Sequence, residues 1–289
     1  MRSSASVRVP ATSANLGPGF DSVGLALRLH DEYRVSLLDE PQVEVLFEAG
    51  GDGVPADASN LVVRSLRAGM ERFGVPADAG IRLTCRNVIP HGRGLGSSAA
   101  AIVGGVSLAA ALSGSAQSQD ILQLAAELEG HPDNVAACLL GGYVIAWSDG
   151  PVFRATRLVI NQRLEPVLFI PSQTSPTEEA RQALPQQVPL PDAAFNAGRA
   201  ALLTVALSGA PELLLAATED RLHQEQRRGV YPQAMALVDE LRGRGVPACV
   251  SGAGPSVLAF SIDGAELPTV GGFDMLRPGF DDRGATSPS

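Results

Sequence analysis

Residues 89–101, IPHGRGLGSSAAA, decide how the rest of this 289-residue chain is read. Gly92, Gly94, Gly96, Ser97 and Ser98 stand between a strand-like apolar run at 81–88 and a small-residue run at 98–112 that suits a helix packed closely on a sheet. Glycine admits backbone angles that a Cβ forbids and lets a ligand lie against the main chain. Ser97, Ser98 and Ala99 open the helix, whose free N–H groups and positive dipole end form an anion site. Arg93 adds a charge. The simplest ligand for such a loop is a polyphosphate, and the plain alternative is a turn that needs glycine for its own sake. The loop lacks the Gly-Lys-Ser/Thr of a P-loop and the glycine spacing of a dinucleotide fingerprint. A serine hydroxyl at a helix start beside phosphates commonly serves magnesium, which points to phosphoryl rather than hydride transfer.

Composition sets the frame for that loop. Hydrophobic residues make up 45% of the chain and charged residues 18%, enough for one large or two ordinary domains with a substantial core. The net charge of −9 argues against nucleic acid or an anionic membrane as the main partner, so an anion site has to be local. Cys85, Cys138 and Cys249 are scattered among apolar neighbours, show no metal-ligand spacing and read as reduced core thiols. The N-terminus carries no apolar signal core and no run is long enough to span a membrane, which leads to the expectation of a cytoplasmic protein.

Along the chain, a short strand is expected at 6–9, followed by a turn-rich stretch at 10–21, PATSANLGPGFD. Strands follow at 23–29 and 33–38, separated by His30, Asp31 and Glu32, and another at 43–47. Helical spacing runs over 60–73 and 120–129, each stopped by glycine. Residues 139–147 read as an apolar strand broken by Gly141 and Gly142. Beyond residue 151 the signals thin: a strand near 167–170, helices at 193–207, 212–217 and 233–242, and strands at 248–250 and 257–260 around the turn SGAGPS, 251–256. The polar last dozen residues are expected to fray. Helices and strands mix without strict alternation, which favours an α+β class.

Three separated motifs coincide: PATSANLGPGFDSVG at 10–24, IPHGRGLGSSAAA at 89–101 and SGAGPS at 251–256. Together they resemble the GHMP kinase superfamily over most of the chain. The first motif, with EGHPDN at 129–134, is most similar to its homoserine kinases. The resemblance implies transfer of the ATP γ-phosphoryl group to the side-chain hydroxyl of L-homoserine, with ATP and Mg2+ as cofactors and a homodimer as the expected assembly. It also implies a two-domain α+β fold, a ribosomal-protein-S5-like N-terminal domain (1–150) and a ferredoxin-like C-terminal domain (151–289), with catalysis in the cleft between them. The C-terminus departs from the family: after Phe260 a full helix and a last strand are expected, whereas this chain has only the proline- and glycine-broken stretch 264–272 before 273–276. One helix should therefore be missing.

The resemblance also carries residue roles. Pro90, His91, Gly92, Arg93, Gly94, Leu95, Gly96, Ser97, Ser98, Ala99 and Ala100 form the implied phosphate cradle, braced by Gly252 and Gly254. Asn60 matches the adenine-contacting segment, or caps the helix that follows it. Ser98 and Glu127 are the implied magnesium ligands, with Glu129 a rival for the carboxylate. Asn15 and Asp21 match contacts to the amino end and hydroxyl of the substrate, against plain turn chemistry. Thr177, Arg181 and Arg227 match the carboxylate-binding side; Arg228 follows directly, and Glu225-Gln226 replaces the family's proline-aromatic pair. His131 and Asn134 belong to the HPDN strip. Asp21, His131 and Asn134 are the candidates for a base, and the expectation is that alignment and charge neutralisation carry most of the catalysis. A related small-alcohol kinase with another substrate, or a non-catalytic ATP-binding relative, are the alternatives.

Overall fold

The computed structural model describes residues 2–172 and 177–287. Its first sheet opens with two long strands, β1 (Ser4–Asn15) and β2 (Gly19–Leu38). They pair antiparallel along their whole length, from Ser4↔Ser36 to Asn15↔Gly19. The turn-rich stretch is therefore mostly strand, and only residues 16–18 turn. Pro10 is accommodated because the register shifts between Pro10 and Ala11, where no ladder N–H is required. His30, Asp31 and Glu32 do not separate two strands either; β2 runs straight through them.

The rest of the first domain follows as β3 (Val43–Ala49), α1 (Leu61–Arg72), β4 (Gly80–Arg86), α2 (Ser97–Ser113), α3 (Ser118–Glu129), α4 (Asp133–Leu140), β5 (Tyr143–Asp149) and β6 (Val152–Leu158). The strand order is β3-β4-β2-β5-β6, with β1 on β2. Helix α2 is apolar on every face, as a helix enclosed on all sides must be, and it packs among α1, α3, α4 and β1. Residues 139 and 140, expected to begin a strand, instead end α4, whose cap at Gly141 turns the chain into β5.

The division expected at residue 150 falls in the turn of the β5–β6 hairpin; the sheets change over between Leu158 and Leu164. The second domain contains β7 (Leu164–Pro171), α5 (Thr177–Gln182), α6 (Leu190–Ser208), α7 (Leu214–Ala217), α8 (Pro232–Gly243), β8 (Ala248–Val250), β9 (Val257–Ile262) and β10 (Phe273–Leu276). Its sheet is antiparallel throughout, in the order β10-β7-β9-β8. No helix lies between β9 and β10, in agreement with the shortened C-terminus read from the sequence. No helix among the described residues is long and apolar enough to cross a membrane. Cys85, Cys138 and Cys249 are free, buried thiols.

Through residue 287 the tail does not fray. After β10 it returns to the first domain, where Arg8 and Thr286 exchange backbone hydrogen bonds and Asp281 N donates to the Ala26 carbonyl. The Asp281 carboxylate meets His30 Nε2 at 2.8 Å and accepts from the N–H groups of Arg283 and Gly284. Polar composition looked like solvated chain, but these polar groups are spent on strand edges.

Candidate active site

A cleft of about 450 Å³ is walled by the glycine loop, the β1–β2 turn, the HPDN strip, the start of α1 and residues 181, 227, 252 and 253 of the second domain. The glycine loop enters it from β4. Asp31, in the middle of β2, holds that entry. One of its carboxylate oxygens accepts from Val88 N (2.6 Å) and Ile89 N (2.8 Å), and the other from the Tyr33 hydroxyl (3.0 Å). Burial pushes the Asp31 pKa up against the pull of those donors.

Gly94 and Gly96 are left-handed, with φ of +69° and +70°. A Cβ on Gly94 would stand 2.2 Å from the Ser251 carbonyl oxygen, and one on Gly96 would stand 1.9 Å from Thr12 Oγ1. The loop is thus fitted between β1 and the turn that joins β8 to β9, with no space for a side chain at either point. Ser251 Oγ donates to the Gly94 carbonyl (2.7 Å) and has the Ser13 hydroxyl as its second partner (2.8 Å). Gly252 N donates to the Ala14 carbonyl. The second domain braces the cradle, as the SGAGPS stretch led one to expect.

His91, Gly92, Gly94, Leu95, Gly96, Ser97, Ser98 and Gly252 line the cleft, while Pro90, Arg93, Ala99, Ala100 and Gly254 stand outside its wall. Arg93 is a strut rather than a free charge: it donates to the carbonyls of Pro171 (2.9 Å) and Ser172 (2.7 Å) at the end of β7. Asn60 lines the cleft and also caps α1, accepting from Val62 N at 2.9 Å and donating to the Pro55 carbonyl.

At the start of α2, Ser98 Oγ donates to Glu129 Oε1 at 2.6 Å. Burial raises the Glu129 pKa, which the Ser98 hydrogen bond and the nearby His131 charge oppose. A hydroxyl and a partly dehydrated carboxylate with no arginine or lysine bonded to it form a donor pair that fits a magnesium ion. Glu127 is elsewhere. Two residues along α3 amount to a turn of about 200°, so Glu127 faces Arg72 (2.7 Å) and Gln123 (2.8 Å) on the surface. Its pKa is lowered by those partners, Gln123 first. The carboxylate that reaches Ser98 is Glu129 and not Glu127.

The HPDN strip enters α4. His131 Nδ1 lies 2.7 Å from the Asp133 carboxylate, which raises the His131 pKa, with the charges of Glu129 and Asp21 adding to the effect. Asn134 Oδ1 accepts from Thr12 Oγ1 at 2.7 Å, which ties the strip to β1.

Opposite, the β1–β2 turn and the second domain bring charges together. Asp21, left-handed at φ +53°, meets Arg181 of α5 at 3.1 and 3.4 Å across the cleft. Asn15 lines the cleft, but its side chain is occupied as a brace, accepting from Asp21 N and donating to the Gly252 carbonyl. The doubt between Arg227 and Arg228 resolves by burial. Arg227 is 2% exposed and lines the cleft, whereas Arg228 points outward to Glu225 and Asp239. The side chain of Thr177 lies outside the described residues.

Sequence reasoning missed Asp31, Thr12 and the buried His223. A carboxylate in the middle of an apolar strand was the available sign for Asp31. Thr12 acts through a partner 122 residues away and nothing local marks it, whereas His223 joins the distant Gly17 to Arg227 four residues along, a spacing that was the available sign.

The family model described as GHMP kinases N terminal domain matches residues 60–142. A homoserine kinase of Streptomyces coelicolor is 50% identical over 97% of this chain and 93% of its own length. One of Mycobacterium tuberculosis is 49% identical over 92% of this chain and 86% of its own length. Among solved structures, homoserine kinase from Cytophaga hutchinsonii superposes with a TM-score of 0.86 at 28% identity, covering 99% of this chain and 98% of that one. Mevalonate diphosphate decarboxylase from Staphylococcus aureus shares the fold, with a TM-score of 0.73 at 15% identity over 100% of this chain and 99% of that one. With relatives at half identity over nearly the whole of both chains, this chain belongs to the homoserine kinase family of the GHMP kinases.

Proposed function

We propose that the chain transfers the γ-phosphoryl group of ATP to the side-chain hydroxyl of L-homoserine, yielding O-phospho-L-homoserine for threonine biosynthesis. The observation that carries this reading is one cleft with a glycine-loop phosphate cradle at one end and an opposed acid and base, Asp21 and Arg181, at the other. Homoserine is a zwitterion: its ammonium replaces Arg181 beside Asp21, and its carboxylate takes Arg181 and Arg227. A substrate with only one charge would leave a partner stranded. GHMP kinases use ATP as the phosphoryl donor.

Ser98 and Glu129 are the side chains that would hold Mg2+, which supplies charge neutralisation between the phosphates. The chain's own part is positioning. The loop backbone and the first N–H groups of α2 fix the phosphates, and the charged pair fixes the amino acid so that its hydroxyl faces them. His131 and Asp133 form a carboxylate–histidine pair 2.7 Å apart, and the carboxylate raises the His131 pKa, which favours the protonated ring. On this reading alignment and charge neutralisation carry most of the reaction, and His131 is the group that could act as a base. An Asp21→Ala or His131→Ala enzyme that lost more than about ten-thousandfold in kcat with substrate affinity intact would overturn this point.

The test of the function is ADP release by the purified protein with Mg-ATP, offered L-homoserine, L-serine, mevalonate and galactose in turn. Turnover confined to homoserine is the expected result. ATP binding without turnover on any alcohol would replace this reading with that of a non-catalytic relative.

A further inference from the structure

One buried group has no part in the reaction outlined above. His223 is fully buried between α7 and α8, yet it touches both sides of the cleft. Its Nε2 lies 2.7 Å from the Gly17 carbonyl of the β1–β2 turn, and its Nδ1 lies 3.0 Å from Nη1 of Arg227. These partners decide the tautomer. A carbonyl oxygen only accepts and a guanidinium only donates, so the ring carries its proton on Nε2 and offers a bare Nδ1 to Arg227. A second proton would point an N–H at the guanidinium.

The surroundings hold the ring in that role. Asp220 accepts from the N–H groups of Leu222, His223 and Gln224, which fixes the turn that carries the histidine. Phe20 stacks against the ring with centroids 5.2 Å apart. The other end of Arg227 is held by the Ala180 carbonyl, which accepts from Nε at 2.9 Å. The charged groups that bear on the ring are Asp220, Arg227 and Asp21, and burial keeps its pKa below the ordinary histidine value.

We propose that His223 is a positioning residue: its unprotonated Nδ1 aims the Arg227 guanidinium at the substrate carboxylate and links that aim to the turn carrying Asp21. The inference rests on the proposed role of Arg227 as a carboxylate contact. Two variants separate the two ring nitrogens. Asparagine places a side-chain oxygen near the Nδ1 position, and glutamine places its amide near the Nε2 position. His223→Asn keeps the acceptor for Arg227 and loses the tie to Gly17; His223→Gln does the reverse.

Steady-state kinetics of both variants, with Arg227→Ala and the double variant Arg227→Ala/His223→Gln, make the test. Losing a charge-assisted hydrogen bond raises the homoserine KM of His223→Gln about tenfold. The ATP KM should stay within about twofold, as expected when only substrate binding is lost. His223→Asn should lie closer to the wild type, and His223→Gln should add little to Arg227→Ala, since one acts through the other. The inference is overturned if Asn is the worse variant, if both KM values rise together, or if the two losses multiply. An Arg227→Ala enzyme with unchanged homoserine KM would overturn the clamp itself. A normal response to Arg227→Ala with no response to His223→Gln would remove His223 alone.

Discussion

The two ends of the cleft are built in opposite ways. The end proposed for the phosphates is the glycine loop, Gly92 to Ser98, and the chemistry proposed for it lies in backbone N–H groups that almost any sequence possesses. What is special there is the absence of side chains, which lets Thr12 and the 251–256 turn close on it. The end proposed for the amino acid is made of side chains from three distant stretches: Asp21 and Arg181 hold each other, and Arg227 is held by the Ala180 carbonyl and His223. A backbone site tolerates almost no change of shape, whereas a side-chain site depends first on which charges it carries.

Substitutions that respect one of these properties and violate the other sharpen the contrast. The largest effect should come from Gly94→Ala, which adds one methyl group and no charge. Left-handed strain and overpacking against the Ser251 carbonyl together cost about 2–5 kcal/mol. ATP binding measured by calorimetry should fall by about a hundredfold or more on that basis. Near-normal binding would show that the loop moves freely and that the close fit is incidental.

Next comes the metal corner, where the comparison lies within one helix. Glu129→Gln should lower kcat about hundredfold, as expected on loss of a charge that organises the transition state. Glu127→Gln should stay within about twofold, because its carboxylate serves surface bonds to Arg72 and Gln123. A kinetic magnesium titration of both variants checks this, and equal losses would erase the distinction.

The smallest effect concerns pH. Asp133 raises the His131 pKa in the folded state, so folding binds that proton more tightly than the unfolded chain does. The stabilisation is complete below about pH 6.5, the unfolded value, and is lost as pH rises through the raised folded value. The Tm advantage of the wild type over His131→Gln should therefore shrink between about pH 5.5 and pH 8.5. An advantage that grew with pH would mean that the ring is neutral in the folded state.

Legibility followed the same division. The glycine loop, the SGAGPS turn and residues 21, 181 and 227, which the structure brings to one cleft, stood out in the sequence because each sits in a dense local pattern. The long strands β1 and β2 were cut short in the reading because Pro10 and the polar run 30–32 look like punctuation. In the fold, a register shift absorbs the proline, and Asp31 finds three donors inside. Helix α4 and strand β6 escaped notice: α4 is two turns long, and β6 is an edge strand with little burial. The tail's order was invisible for a related reason, since polarity does not say whether a partner is water or β1.

By itself the sequence determined the class of the fold, the missing helix before the last strand, the order of the motifs and the glycine loop at a helix start. These depend on residue types at short spacing, where chain geometry leaves few choices. Tertiary structure alone decided that Glu129 rather than Glu127 meets Ser98, that Arg227 rather than Arg228 turns inward, and that Arg93 joins the domains. The first two are choices between neighbours of like chemistry, settled by which face of a helix or turn is buried, and the third depends on where the end of β7 lies. Burial is a property of everything packed around a residue, and no local stretch of sequence contains it.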